Sequence, residues 1–171
     1  LLFSFLSWTF LWKPRLVGTP PQRLGVIPDT GSYDLLLDST YCNGLPCRMH
    51  TQFNANISIS ASNPAGHNLA MQHTAYGQGG VDSVAWRDTV RLGSLTAENV
   101  DVLLMLDSQL RGYDRPESGF DGIMGLGRRN VTASDITQTA LLTSLGVRRF
   151  TMCMGSMTGR GGRLELNSGP L

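Results

Sequence analysis

The sequence has no block of like charge. Its 14 basic and 13 acidic residues leave a net charge of +1, and so balanced a chain offers no electrostatic footprint for nucleic acid or an anionic membrane. Nucleic acid is therefore excluded as a partner. A long apolar run is missing too: the best candidate, Leu1 to Trp12, stops at Lys13, Pro14 and Arg15, well short of the roughly 20 residues that a spanning helix needs. Residues 1–15 read as a remnant of a signal peptide or signal anchor, which leaves a membrane anchor open, as a buried strand pair, or as sequence foreign to the domain that follows. The missing initiator Met agrees with a remnant. Histidine and cysteine are also scarce, at three each. Cys42 and Cys47 lie near His50, but no second Cys pair or His cluster completes a four-ligand zinc site. No metal or other cofactor is expected.

What is abundant is turn chemistry. Twenty glycines and eight prolines, with Val, Thr, Leu and Ile in short runs, favour an all-β domain over a helical bundle. The length suits one domain with a sizeable core, residues 16–171. Cys42 and Cys47 bracket the turn Asn43-Gly44-Leu45-Pro46 at a spacing that a small disulfide loop can close, and Cys153 is left over. A buried free thiol is the expected state for it. Two sequons, Asn56-Ile57-Ser58 and Asn130-Val131-Thr132, agree with passage through an oxidising secretory lumen.

Along the chain, Val17-Gly18-Thr19-Pro20-Pro21-Gln22 forces a turn, Arg23 to Ile27 reads as a strand, and Leu35 to Leu37 is a second buried run. Phe53 to Ala70 reads as one or two exposed strands and loops. Met71 to Leu92 alternates around Tyr76-Gly77-Gln78-Gly79-Gly80, a hairpin with a mobile glycine-rich tip able to close over a ligand. Val100 to Leu106 and Phe120 to Gly127 read as strands, the second punctuated by glycines that permit close backbone approach. Ser134 to Gly146 is the one good helix candidate, with Ser134 as N-cap. Phe150 to Met154 and Gly162 to Leu166 close the chain as two strands.

Between the first two buried runs, Gly25 to Ser39 reads GVIPDTGSYDLLLDS and delivers Asp29 into a Thr-Gly turn. An Asp followed by Thr30, Gly31 and Ser32 has hydroxyl and backbone donors within reach, which can orient a carboxylate and tune its pKa. Asp-Thr-Gly is also an ordinary turn tripeptide, so its neighbours decide.

Those neighbours fall in a recognisable order: VGTPPQ at Val17 to Gln22, VIPDTGSYDLLLDS at Val26 to Ser39, YGQGG with WRDTVRLG over Tyr76 to Gly93, and FDGIMGLG at Phe120 to Gly127. The chain resembles the amino-terminal lobe of the pepsin-like aspartic proteases over Val17 to Leu166, and that family's C-x4-C loop falls at Cys42 and Cys47. The resemblance implies an all-β, single lobe of a two-lobed fold and an aspartic endopeptidase acting on polypeptide without a cofactor. It implies a lumenal, vacuole- or lysosome-like, or extracellular setting. Asp29 would be one of two catalytic aspartates, with Thr30 and Gly31 in the turn that locks the lobes together and Ser32 bonding the carboxylate. Tyr76, Gly77 and Gln78 would form the flap over bound substrate. The partner implied is a carboxy-terminal lobe carrying a second Asp.

Departures from the pattern define the alternatives. Only one Asp-Thr-Gly is present, Pro28 precedes Asp29 where the family has an apolar residue in an interior strand, and Leu36 stands where it usually has Trp. These features favour an inactive peptide-binding module as the rival reading. A homodimer supplying two copies of Asp29 ranks below both, since the flap, C-x4-C loop and FDGIMGLG segment follow the two-lobed pattern.

Overall fold

A computed structural model describes residues 15–66, 71–114, 119–128, 139–153 and 163–167. The apolar segment 1–14, the sequon at Asn130 and the amino-terminal half of the expected helix lie outside them. The strands are β1 (Arg15–Val17), β2 (Gln22–Arg23), β3 (Val26–Asp29), β4 (Leu35–Leu37), β5 (Met71–Tyr76), β6 (Gly79–Leu92), β7 (Leu95–Ser108), β8 (Gly122–Gly125), β9 (Phe150–Cys153) and β10 (Arg163–Leu166). Two one-turn helices, α1 (Leu45–Arg48) and α2 (Leu141–Ser144), and a 3-10 turn at Ala55–Ile57 interrupt them. The protein is all-β, a curled half-barrel of sheet.

Eight strands form one sheet in the order β2-β1-β6-β7-β4-β8-β3, with β5 added to β6, and β9 pairs with β10 separately. The long β6–β7 hairpin is its spine; at Gly93 the chain adopts φ +61°, a left-handed turn conformation that glycine takes without steric cost. The apolar run Leu35-Leu36-Leu37 makes physical sense at the centre. β4 is parallel to β7 and antiparallel to β8, and both its faces are covered, so every residue of it is buried. Period-two alternation sends Leu35 and Leu37 of β4, Val102 and Leu104 of β7 and Met124 of β8 into the main core. Leu36, Leu103 and Met105 enter a second cluster on the opposite face, with Cys42, Cys47 and Tyr113, and Ile123 packs against it.

Several expectations change. The strand expected over Arg23 to Ile27 divides into β2 and β3. Phe53 to Gly66 contributes only isolated bridges, Ser39 to Phe53 and Ser62 to Arg87. The described end of the expected helix is a single turn closed by Gly146 at φ +66°. Pro28 causes no ladder conflict, because β3 pairs on one side only among the described strands, with β8. A missing N–H is tolerated at such an edge. Cys153 is exposed rather than buried: alternation along β9 turns Phe150 and Met152 toward the core and leaves Thr151 and Cys153 outward.

Candidate active site

Asp29 ends β3, and the chain then loops through Thr30 to Asp34 into β4. Neighbouring main chain clamps that loop. Leu126 N–H donates to Asp29 O at 2.7 Å, Gly127 N–H to Ser32 O at 2.8 Å, Gly125 N–H to Asp34 O at 2.9 Å and Leu141 N–H to Tyr33 O at 3.1 Å. The glycines of FDGIMGLG are required by this closeness. A Cβ on Gly125 would stand 2.5 Å from Tyr33 N and C, and one on Gly127 would stand 2.8 Å from Ser32 O. The motif is therefore a backbone cradle for the Asp29 loop.

Within the loop, Gly31 N–H donates to Asp29 Oδ1 at 2.9 Å. A Cβ on Gly31 would meet that same oxygen at 3.2 Å, so glycine gives the amide its close approach. Thr30 and Gly31 are exposed and Asp29 is half-buried, the disposition of a group presented to a partner or ligand. The hydrogen bond expected from Ser32 is not formed: its Oγ is buried and has no partner among the described residues. The carboxylate is held by backbone.

The β5–β6 hairpin carries Tyr76 at the end of β5, paired in register with Gly79 across the exposed Gly77-Gln78 tip. The tip is tied on one side. Arg111 N–H donates to Gln78 O at 3.0 Å and Gln109 N–H to Gly80 O at 2.9 Å, so the expected mobile tip is anchored to the segment after β7. Tyr76 is half-buried against the second apolar cluster. Burial, then the nearby carboxylates of Asp34 and Asp29, hold its phenol well above the ordinary tyrosine range, so it stays neutral. Tyr76 therefore lies within electrostatic reach of the Asp29 loop. Leu36, fully buried in the cluster that Tyr76 packs against, offers apolar contact but no N–H.

Cys42 is joined by a disulfide to Cys47, within α1. That bond occupies both sulfurs, although with Asp38 they form a compact group of potential metal-ligating atoms. Sequence reasoning missed Asp38 itself, a fully buried acid beside that loop. Its Oδ2 accepts from the Tyr113 hydroxyl at 3.1 Å, and Gln52 Nε2 lies 3.5 Å from Oδ1. Desolvation pushes its pKa up to about 7, against the smaller lowering effect of these hydrogen bonds. A lone acid in an apolar run was the available signal.

Residues 15–155 match the family model described as eukaryotic aspartyl protease. The chain belongs to that family. The aspartyl protease relatives that it resembles include Pepsin II-1 of Oryctolagus cuniculus, 36% identical over 128 residues, which cover 71% of this chain and 30% of the relative. Pepsin A of Sus scrofa is 34% identical over the same length with the same shares. Pregnancy-associated glycoprotein 2 of Sus scrofa is 34% identical over 128 residues, 71% of this chain and 27% of that protein. The chain thus spans less than a third of the length of these relatives. Among the described residues no helix is long and apolar enough to cross a membrane.

Proposed function

We propose that residues 15–171 are the amino-terminal lobe of a two-lobed aspartic endopeptidase; Arg15 of β1, expected outside the lobe, pairs with Arg23 of β2, and residues 1–14 precede the lobe. The observation that carries this reading is the Asp29 loop, held by four main-chain hydrogen bonds and one Gly31 amide beside the hairpin that bears Tyr76. In this reading a second carboxylate, supplied by a carboxy-terminal lobe, shares one proton with Asp29 and holds a water between them. Two such close carboxylates cannot both ionise cheaply, so one takes a proton from the water while the other donates toward the scissile carbonyl oxygen. Their titration belongs to the pair. Ser32 would turn its free hydroxyl toward the carboxylate once that pair is complete, and Thr30 and Gly31 face the second lobe. Tyr76, Gly77 and Gln78 close on an extended polypeptide substrate. The disulfide supports a lumenal, vacuole- or lysosome-like or extracellular setting.

The test is peptide hydrolysis at acid pH by the complete gene product, beside its Asp29→Asn variant. The endopeptidase reading expects cleavage that the variant loses. Equal cleavage by the two proteins would remove Asp29 from the mechanism. Leu36, an apolar side chain in the cluster that Tyr76 packs against, favours a second reading: an inactive module that binds peptide through the same cleft. Saturable peptide binding without cleavage, in protein whose second lobe is intact, would establish it instead.

A further inference from the structure

One exposed turn takes no part in the proposed reaction. Residues Asn54 to Ile59 are fixed from within: Ala55 and Ser58 are buried, Ser58 N–H donates to Ala55 O, and Ile59 N–H donates to Thr19 O at 2.9 Å. The same geometry projects the intervening side chains. Asn56 is exposed, and only its backbone N–H is engaged, donating to Asn54 Oδ1 at 3.0 Å. In the three residues that follow it, Ile57 is 56% exposed and Ile59 87% exposed. An isolated exposed isoleucine is ordinary, but two within three residues leave apolar surface open directly after the asparagine of an Asn-Ile-Ser sequon.

We propose that Asn56 is an N-glycosylation site whose first sugar covers Ile57 and Ile59. In the transfer, the Asn56 amide nitrogen attacks the anomeric carbon of a lipid-pyrophosphate-linked oligosaccharide. An N–C bond forms, the bond from that carbon to the pyrophosphate oxygen breaks, the amide gives up one proton and the lipid pyrophosphate leaves. The hydroxyl of the sequon must be free during recognition, yet in the folded chain Ser58 Oγ is buried and accepts from Thr19 N–H at 2.9 Å. Transfer therefore precedes docking of the Gly18–Thr19 turn on Ser58, and the folded protein is not a substrate. The carbohydrate's C–H faces then cover apolar surface that the protein itself leaves open, while its hydroxyls keep the turn solvated.

The proposal rests on the lumenal reading, and an imposed secretory leader separates the two. The full chain, carrying Asn130→Gln to silence the other sequon, is secreted from a eukaryotic host and its mass compared before and after peptide N-glycosidase. The expected result is one glycosidase-sensitive mass step that Asn56→Gln abolishes and Ser58→Thr retains, with the Cys42–Cys47 disulfide formed in all three. An apolar dye should bind more strongly after the glycan is removed, and Ile57→Ser with Ile59→Ser should cancel that rise. Secreted, oxidised chain with an unmodified Asn56 peptide overturns the site. Retention of the natural precursor in the cytosol would overturn only the lumenal reading.

Discussion

The hydroxyl of Tyr113 donates to the carboxyl of Asp38 across 3.1 Å, and both side chains are sealed from solvent. Tyr113 is in turn stacked on His50 at a ring separation of 4.2 Å, and His50 Nε2 lies 2.8 Å from its carbonyl oxygen. The pair ties the segment after β7 to the end of β4, beneath the disulfide loop.

Asp38 gives the fold an acid bias. Its carboxyl ionises near 3.8 when unfolded and near 7 when folded, so between those values the folded state holds the extra proton and stability falls as pH rises. The full penalty above pH 7 is on the order of 4 kcal/mol. Asp38→Asn, which keeps an acceptor for Tyr113, should flatten the stability profile between these limits and make the variant more stable than the parent at neutral pH. Denaturant melts across that range check it. An unchanged slope would show that Asp38 does not control the profile.

Gly125→Ala should be among the most damaging single-methyl additions in the chain. The new carbon meets main-chain atoms of Tyr33 at 2.5 Å and Asp34 N at 2.6 Å, and backbone cannot rotate away as a side chain can. A loss of about 3 kcal/mol or more is expected from overpacking, with displacement of the Asp29 loop. Gly77→Ala is the control, since nothing lies within 4 Å of its added carbon; its melting point should stay close to the parent's.

Asp121 bridges two segments through its carboxylate: Oδ2 accepts from Gly25 N–H at 2.6 Å and Oδ1 from Thr51 N–H at 2.8 Å. Asp121→Ala strands both donors at a nearly buried position, and the expected cost is about 3 kcal/mol. Asp121→Asn, with one acceptor oxygen left, should fall between. Urea midpoints at an unchanged m-value measure both.

Replacing Cys42 and Cys47 together by Ala should cost about 2 kcal/mol, the loop-closure value for so short a ring. The buried Asp38 lies beside the same loop, whose Cys42 carbonyl accepts from Gln52 at 2.8 Å, so loosening it should admit water. The apparent ionisation of Asp38 should then fall toward the ordinary acid range, which a repeat of the pH-dependent melts reads out.

Much of the fold was legible because its signals are local. The triple leucine of β4, the hairpin around Tyr76 and the glycine spacing of FDGIMGLG each specify their element through burial or backbone approach. The misses depend on what lies across space. Cys153 looked buried as a residue type, but strand parity turned it outward. Ser32 looked like a carboxylate ligand by position, yet Gly31 N–H holds Asp29 and the serine hydroxyl makes no hydrogen bond among the described residues. Asp38 was hidden among leucines because nothing in its own segment announces Tyr113, which is brought to it from 75 residues further along the chain.

Four bonds to the carbonyls of Asp29, Ser32, Tyr33 and Asp34 carry the Asp29 loop, and none of them uses a side chain of the loop. Shape and side-chain chemistry are thereby inherited separately: the bonds that suspend the turn depend on its main chain alone. A lobe built this way keeps its architecture while side chains around Asp29 change. Resemblance in the cradle is for that reason a record of descent rather than of chemistry.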